Sequence, residues 1–253
     1  MPLPLLAHDH GAVREGPVVL LLHSTVCDRR MWDPQWRILL DAGFRLIRCD
    51  FRAFGDTPPG EEPYRDADDV LRLLDALDVR ETAVIASSGG GQVGLELAAR
   101  WPERVTSLLL LATAQPGREK SEALREFGRR EDELLEAGDL DAAVELNVTT
   151  WLGPEADGNT RAMVRMMQRR AFEVQSTAPD VEDVDVEFDL SAIKARTLAV
   201  SGAHDLPDFR EIAAGLPQVV SGARHLELPW AGHLPSLERP ADTARLMLDF
   251  MTA

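Results

Sequence analysis

The turn Ala86-Ser87-Ser88-Gly89-Gly90-Gly91 stands between TAVIAS (82–87), which reads as a buried strand, and a helical pattern running from Gly91 to Arg100. It admits two chemistries. Gly89-Gly90-Gly91-Gln92-Val93-Gly94 matches G-x-G-x-x-G, in which backbone N–H groups at a helix N-terminus hold a pyrophosphate. That use demands an acid about twenty residues on to bind a ribose. Here the next strand ends Leu111-Ala112-Thr113 and supplies none. The rival is a nucleophile elbow, small-x-Ser-x-Gly, over Ala86, Ser88 and Gly90. Positions two before and two after the nucleophile must be small, because strand and helix nearly touch there. Ser88 satisfies this; Ser87, flanked by Ile85 and Gly89, does not.

An elbow serine needs a base and an acid, in the chain order Ser, Asp, His. His233, in Trp230-Ala231-Gly232-His233-Leu234-Pro235, follows the last expected strand and is the candidate base. His225 lies within that strand, His8 and His10 lie near the N-terminus, and His204 adjoins the candidate acid. All four read as surface or packing residues. Ser201-Gly202-Ala203-His204-Asp205 ends the preceding strand, making Asp205 the acid. Asp208, after Pro207 at a helix start, reads as an N-cap. For an oxyanion hole, Gly89 follows the nucleophile and Thr25 stands in the loop after the first core strand, each offering a backbone N–H. Ser24, where Gly would be usual, is placed to narrow the pocket or add a hydroxyl. No Cys/His or carboxylate cluster has metal-ligand spacing, and no cofactor is expected.

These residues must be carried by alternating strands and helices. VVLLLH from Val18, FRLIRCD (44–50), TAVIAS (82–87), VTSLLLLAT (105–113), RTLAVSG (196–202) and ARHLELP (223–229) read as strands, with helical patterns between them. The apolar, unalternating runs predict strands buried on both faces, hence a doubly wound, mostly parallel α/β sheet. Between Pro116 and Pro179 the pattern is helical only: 121–136, 140–151 and 160–174. The expected organisation is a core over 1–115 and 190–253, with a helical cap and linker inserted over 116–189. Within the linker, 180–189 carries six acids interleaved with Val181, Val184, Val186 and Phe188 and reads as a solvated connector.

The chain has 253 residues, 43 acidic against 27 basic, a net charge of −16, and 45% hydrophobic residues. The acidic excess argues against a nucleic-acid or anionic-membrane partner. Cys27 and Cys49 read as core filler with free thiols. No leader or bilayer-length apolar run is visible, so the expectation is a cytoplasmic chain acting on a small molecule, with a homodimer as an allowed assembly.

Together these motifs resemble the α/β-hydrolase superfamily, in its branch of small capped esterases, lactonases and C–C hydrolases. The likeness runs through His23-Ser24-Thr25, Met31-Trp32-Asp33-Pro34-Gln35, Asp50 to Thr57, the elbow, Pro102 to Val105, Gly202 to Asp205, and Gly232-His233-x-Pro235 ahead of Glu238-Arg239-Pro240. Ala53, like Ser24, stands where the family favours Gly. The resemblance implies acyl transfer from Ser88, with His233 as base and Asp205 holding the imidazole. It gives Asp50, Arg52 and His23 bracing roles. Trp151, Met163, Met166, Met167 and Phe172 of the cap are candidates to line the pocket, although a Met stripe at helical spacing more often packs a helix. C–C cleavage, cofactor-free peroxidation and a non-catalytic binding role are the alternatives on the same scaffold.

Overall fold

Side chains alternate between two apolar layers along each central strand, and this alternation builds the molecule. In β2 (Val18–Leu22), Val19 and Leu21 face one layer while Leu20 and Leu22 face the other. The same holds for β4 (Thr82–Ser87), buried at all six positions, and for β5 (Val105–Leu111). With both faces covered, the strands have no polar side to show, which is why the sequence runs are apolar throughout. The computed structural model describes residues 6–12, 15–179, 181, 184 and 186–252. The expected connector at 180–189 therefore lies partly outside the described residues.

Seven strands form one sheet in the order β1-β3-β2-β4-β5-β6-β7, with β1 (His8–Gly11), β3 (Arg45–Cys49), β6 (Arg196–Gly202) and β7 (Arg224–Leu228) completing it. Only β1 runs antiparallel, against β3. The sequence reading did not include β1, a short and partly exposed edge. One layer holds α1 (Asp33–Asp41) and α9 (Pro240–Thr252), which pack on each other; the other holds α2 (Asp66–Ala76) and α3 (Gly89–Arg100). α7 (Pro207–Val219) joins β6 to β7, and a single turn, α8 (Pro235–Glu238), precedes α9.

Between β5 and β6 stand α4 (Glu122–Glu136), α5 (Leu140–Trp151) and α6 (Gly158–Gln175). Each starts on a capping side chain, Ser121, Asp139 and Asp157 respectively, that accepts an N–H of the first turn. α4 has no fully buried residue; Leu124, Phe127 and Leu134 lie half-buried against its neighbours.

Candidate active site

β3 lies to one side of β2 and β4 to the other, so the order of winding reverses between β2 and β4. In an open parallel sheet, the carboxyl ends at such a reversal leave a crevice. The loop after β2 carries His23 to Thr25, and the turn after β4 carries Ser88. Asp205 follows β6 and His233 follows β7. All four strands are parallel, so their following loops share one edge of the sheet.

Ser88 has φ 53° and ψ −118°, a left-handed backbone that costs a residue with a Cβ about 1–2 kcal/mol. Main-chain bonds to the neighbouring strand end hold it there. Its N–H donates to the Leu111 carbonyl at 2.9 Å, and its own carbonyl accepts the Ala114 N–H at 3.0 Å. Gly90 is required by contact: a Cβ there would lie 2.4 Å from the His23 carbonyl oxygen. At Gly89 a Cβ would meet Thr25 Cγ2 at 2.5 Å, so the elbow and the β2 loop are pressed together.

Across the edge, Ser88 Oγ lies 2.7 Å from His233 Nε2, and His233 Nδ1 lies 2.8 Å from Asp205 Oδ2. A carboxylate can only accept, so the ring proton sits on Nδ1 and the Nε2 lone pair faces the serine hydroxyl. The second oxygen of Asp205 accepts the Leu206 N–H at 2.7 Å, which fixes the carboxylate plane. All three side chains are buried: Ser88 is 4% exposed, His233 2% and Asp205 8%. The imidazole packs into a corner formed by two aromatic rings, Trp151 at 4.6 Å and Phe209 at 4.2 Å from its centroid, which also contact each other at 5.6 Å. Trp151 is oriented in turn by Asn147, whose Oδ1 accepts the indole N–H at 2.9 Å and whose amide donates to Glu131. Burial pushes the Glu131 carboxyl above its ordinary range.

In the β2 loop, His23 is fully buried and burial lowers its pKa, keeping the ring neutral. Its Nδ1–H donates to the Ser24 carbonyl at 2.8 Å, and its Nε2 accepts the Phe51 N–H at 3.0 Å. It thus ties the β2 loop to the end of β3. Nearby N–H groups are engaged: Ser24 with Met31 sulfur, Val26 with the Ser24 hydroxyl, Cys27 with the Ser24 carbonyl, and Gly90 with the His23 carbonyl. Among the described residues, Thr25 N–H and Gly89 N–H donate to no protein acceptor. Thr25 is also exposed.

The proposed lining residues are not all brought to this point. Trp151 stands against His233. Ser24 is buried, with its hydroxyl turned into its own loop. Met167 is fully enclosed in the core, Met163 is half-buried against it, and Met166 is exposed beside Arg30. Phe172 is buried but borders a separate cleft with Leu135, Gly138 and Leu140. Asp208 does not cap α7; Leu206 holds that place, and Asp208 instead accepts the N–H and hydroxyl of Ser121 at 2.7 and 2.5 Å. Asp208 therefore docks the start of α4 onto α7. Phe209 and Glu238 were not read as site residues. Phe209 has only proximity as a sequence signal, four residues beyond Asp205, whereas Glu238 stands five beyond His233 within the Glu238-Arg239-Pro240 stretch that the family likeness includes. Among the described residues no group of His, Cys, Asp and Glu is arranged to hold a metal, and no helix is long and apolar enough to cross a membrane.

Residues 19–246 match the alpha/beta hydrolase family. The chain is 30% identical to the putative carbamate hydrolase RutD of Variovorax paradoxus (strain S110), over 98% of this chain and 96% of that one. It is 27% identical to the 2-hydroxymuconate semialdehyde hydrolase of Pseudomonas sp. (strain CF600), over 96% and 89% respectively. Among solved structures, the enol-lactonase from Burkholderia xenovorans LB400 superposes with a TM-score of 0.80 at 28% identity, covering 98% of this chain and 96% of that one.

Proposed function

The chain belongs to the alpha/beta hydrolase family, and from that premise we propose that it is a serine hydrolase that opens carboxylic esters or lactones of small organic molecules through an acyl-enzyme. The observation that carries this reading is the unbroken relay from Ser88 Oγ through His233 to Asp205, at 2.7 and 2.8 Å.

Ser88 attacks the substrate carbonyl carbon while His233 Nε2 takes its proton. Asp205 keeps the ring in its Nδ1–H form and balances the imidazolium. The uncommitted N–H groups of Thr25 and Gly89 receive the oxyanion, and the start of α3 adds the positive end of its dipole. His233 then protonates the leaving oxygen. Water, activated by the same imidazole, attacks the acyl carbon and releases the acid; in a lactone, the leaving alcohol and the acid are one molecule. Such chemistry needs only atoms that the chain and water supply. The flanking Trp151 and Phe209 give the base an apolar, poorly hydrated setting, in which these charges interact strongly.

C–C bond hydrolysis on the same residues is the second reading, favoured by the likeness to the semialdehyde hydrolase. One experiment separates them. Wild type and Ser88→Ala are incubated with a fluorophosphonate probe, then with short nitrophenyl esters, lactones and a vinylogous diketone. Labelling and ester or lactone turnover by wild type alone support the proposal. Labelling with turnover of the diketone only would move the assignment to C–C cleavage, and absence of labelling would remove the serine mechanism.

A further inference from the structure

Glu238 takes no part in the serine relay, yet its carboxylate is buried beside it. Its Oε2 accepts the Gly232 N–H at 2.8 Å and its Oε1 accepts the Leu234 N–H at 3.1 Å. Those two peptides flank His233. The N–H of Gly153, two residues past the end of α5, is a third donor to the same carboxylate. Here the backbones meet with no side chain between them: a Cβ on Gly232 would lie 2.3 Å from the Gly153 nitrogen, and one on Gly153 would lie 2.3 Å from Glu238 Oε2. A carboxylate has lone pairs for three such donors; a carboxamide has one oxygen and would turn an NH2 toward the others.

The turn that carries Glu238 is itself fixed from three sides. Gln35 of α1 donates to the Ser236 carbonyl at 2.7 Å, Thr243 of α9 to the Pro235 carbonyl at 2.7 Å, and Thr160 of α6 to the Leu237 carbonyl at 3.1 Å. The neighbouring cation, Arg239, turns outward to Glu155 and Asp242. Asp205 from the β6–α7 loop bonds the imidazole directly, while Glu238 from α8 bonds the peptides on either side of it and acts on the ring through its charge. Ser88, Trp151 and Phe209 complete the ring's surroundings.

Building on the serine-hydrolase reading, we propose that Glu238 is the positioning carboxylate of His233: it clamps the backbone on both sides of the base and joins it to Gly153, and its negative charge favours the imidazolium formed when Ser88 attacks. Burial raises the Glu238 carboxyl above its usual range, while the three N–H donors and the imidazolium pull it the other way.

The test compares wild type with Glu238→Gln. The rate of Ser88 labelling by the fluorophosphonate is followed against pH, and the His233 ring proton is titrated by NMR. Removing a nearby negative charge disfavours the imidazolium, so the acidic limb and the NMR titration both move to lower pH by about half a unit or more. The labelling rate at the plateau falls about tenfold, in line with a misplaced base, while KM for any ester that is turned over stays within about twofold. Unshifted titration in a folded variant would overturn the charge role, whatever happens to its Tm. Should Glu238→Gln not fold, wild type alone decides. The Glu238 carboxyl carbon must show an inflection at the pH where His233 titrates, as coupled groups do; a featureless curve there would overturn the proposal. Loss of labelling in wild type itself would sink the hydrolase reading instead, and the NMR titrations would still report on the pair.

Discussion

The His233 N–H donates to the Trp151 carbonyl at 2.9 Å while its ring lies 4.6 Å from the Trp151 indole, so one residue at the end of α5 holds both the backbone and the side chain of the candidate base. The helices between β5 and β6 are therefore joined mechanically to the chemistry on the sheet edge. A change in their packing should be felt as a change in the histidine.

Trp151→Phe tests that link. The smaller ring keeps an aromatic face but strands Asn147 Oδ1, which loses the indole N–H. Stability should fall by about 1–2 kcal/mol, measured as a shift in urea midpoint, with a drop in kcat larger than any change in KM.

Asp205 and Asp208 should separate cleanly. Asp205→Asn replaces the acceptor of His233 Nδ1–H and favours the wrong tautomer, so kcat should fall by about 10³–10⁴-fold. Asp208→Asn loosens only the Ser121 contact at the start of α4 and should leave kcat within about twofold. Steady-state kinetics on a nitrophenyl ester decides; the reverse ranking would remove Asp205 from the mechanism.

Two glycines of the chain should respond with opposite sign. At Gly90 an alanine Cβ meets the His23 carbonyl oxygen at 2.4 Å, and Gly90→Ala should cost about 2–3 kcal/mol and slow Ser88 labelling. At Gly128, inside α4, nothing lies within 4 Å, and Gly128→Ala should add about 0.5–1 kcal/mol with labelling unchanged. Thermal melts with parallel probe kinetics measure both.

Asp66 opens α2, with one carboxyl oxygen buried and unpaired, and burial together with the nearby Asp69 charge raises its pKa to about 7. The folded state thus holds this proton more tightly than the unfolded chain. Stability from this group is present at acid pH and is lost as pH rises from about 4 through about 7. Asp66→Asn should abolish that loss. The helix N-terminus offsets part of the burial penalty, so the expected gain at pH 8 is on the order of 2 kcal/mol, with none at pH 4, by urea titration at each pH.

Most of the fold is legible in the chain because its signals are local. Apolar runs of strand length separated by helical patterns predict a parallel sheet with helices on both faces, and the seven-stranded sheet has that form. What escaped prediction had weak local signals. β1 is four residues, HDHG, without an apolar run, and it exists because β3 offers it an edge. α8 is a single turn, held by Gln35, Thr243 and Thr160 from distant parts of the chain.

At the candidate site the division is similar. Ser88, Asp205 and His233 could be selected in one dimension, because each needs a strand end, a particular residue type and a place in chain order. Gly90 could be selected too, since the close approach of strand and helix excludes a side chain. Phe209, the indole–imidazole contact of Trp151, the docking role of Asp208 and the clamp by Glu238 are decided only by folding. Each depends on where an element from elsewhere comes to rest, and residue identity fixes what a side chain can bond but not what arrives beside it. The Met residues of α6 show the converse: their spacing was compatible with lining a pocket, and packing put Met167 in the core and left Met166 exposed.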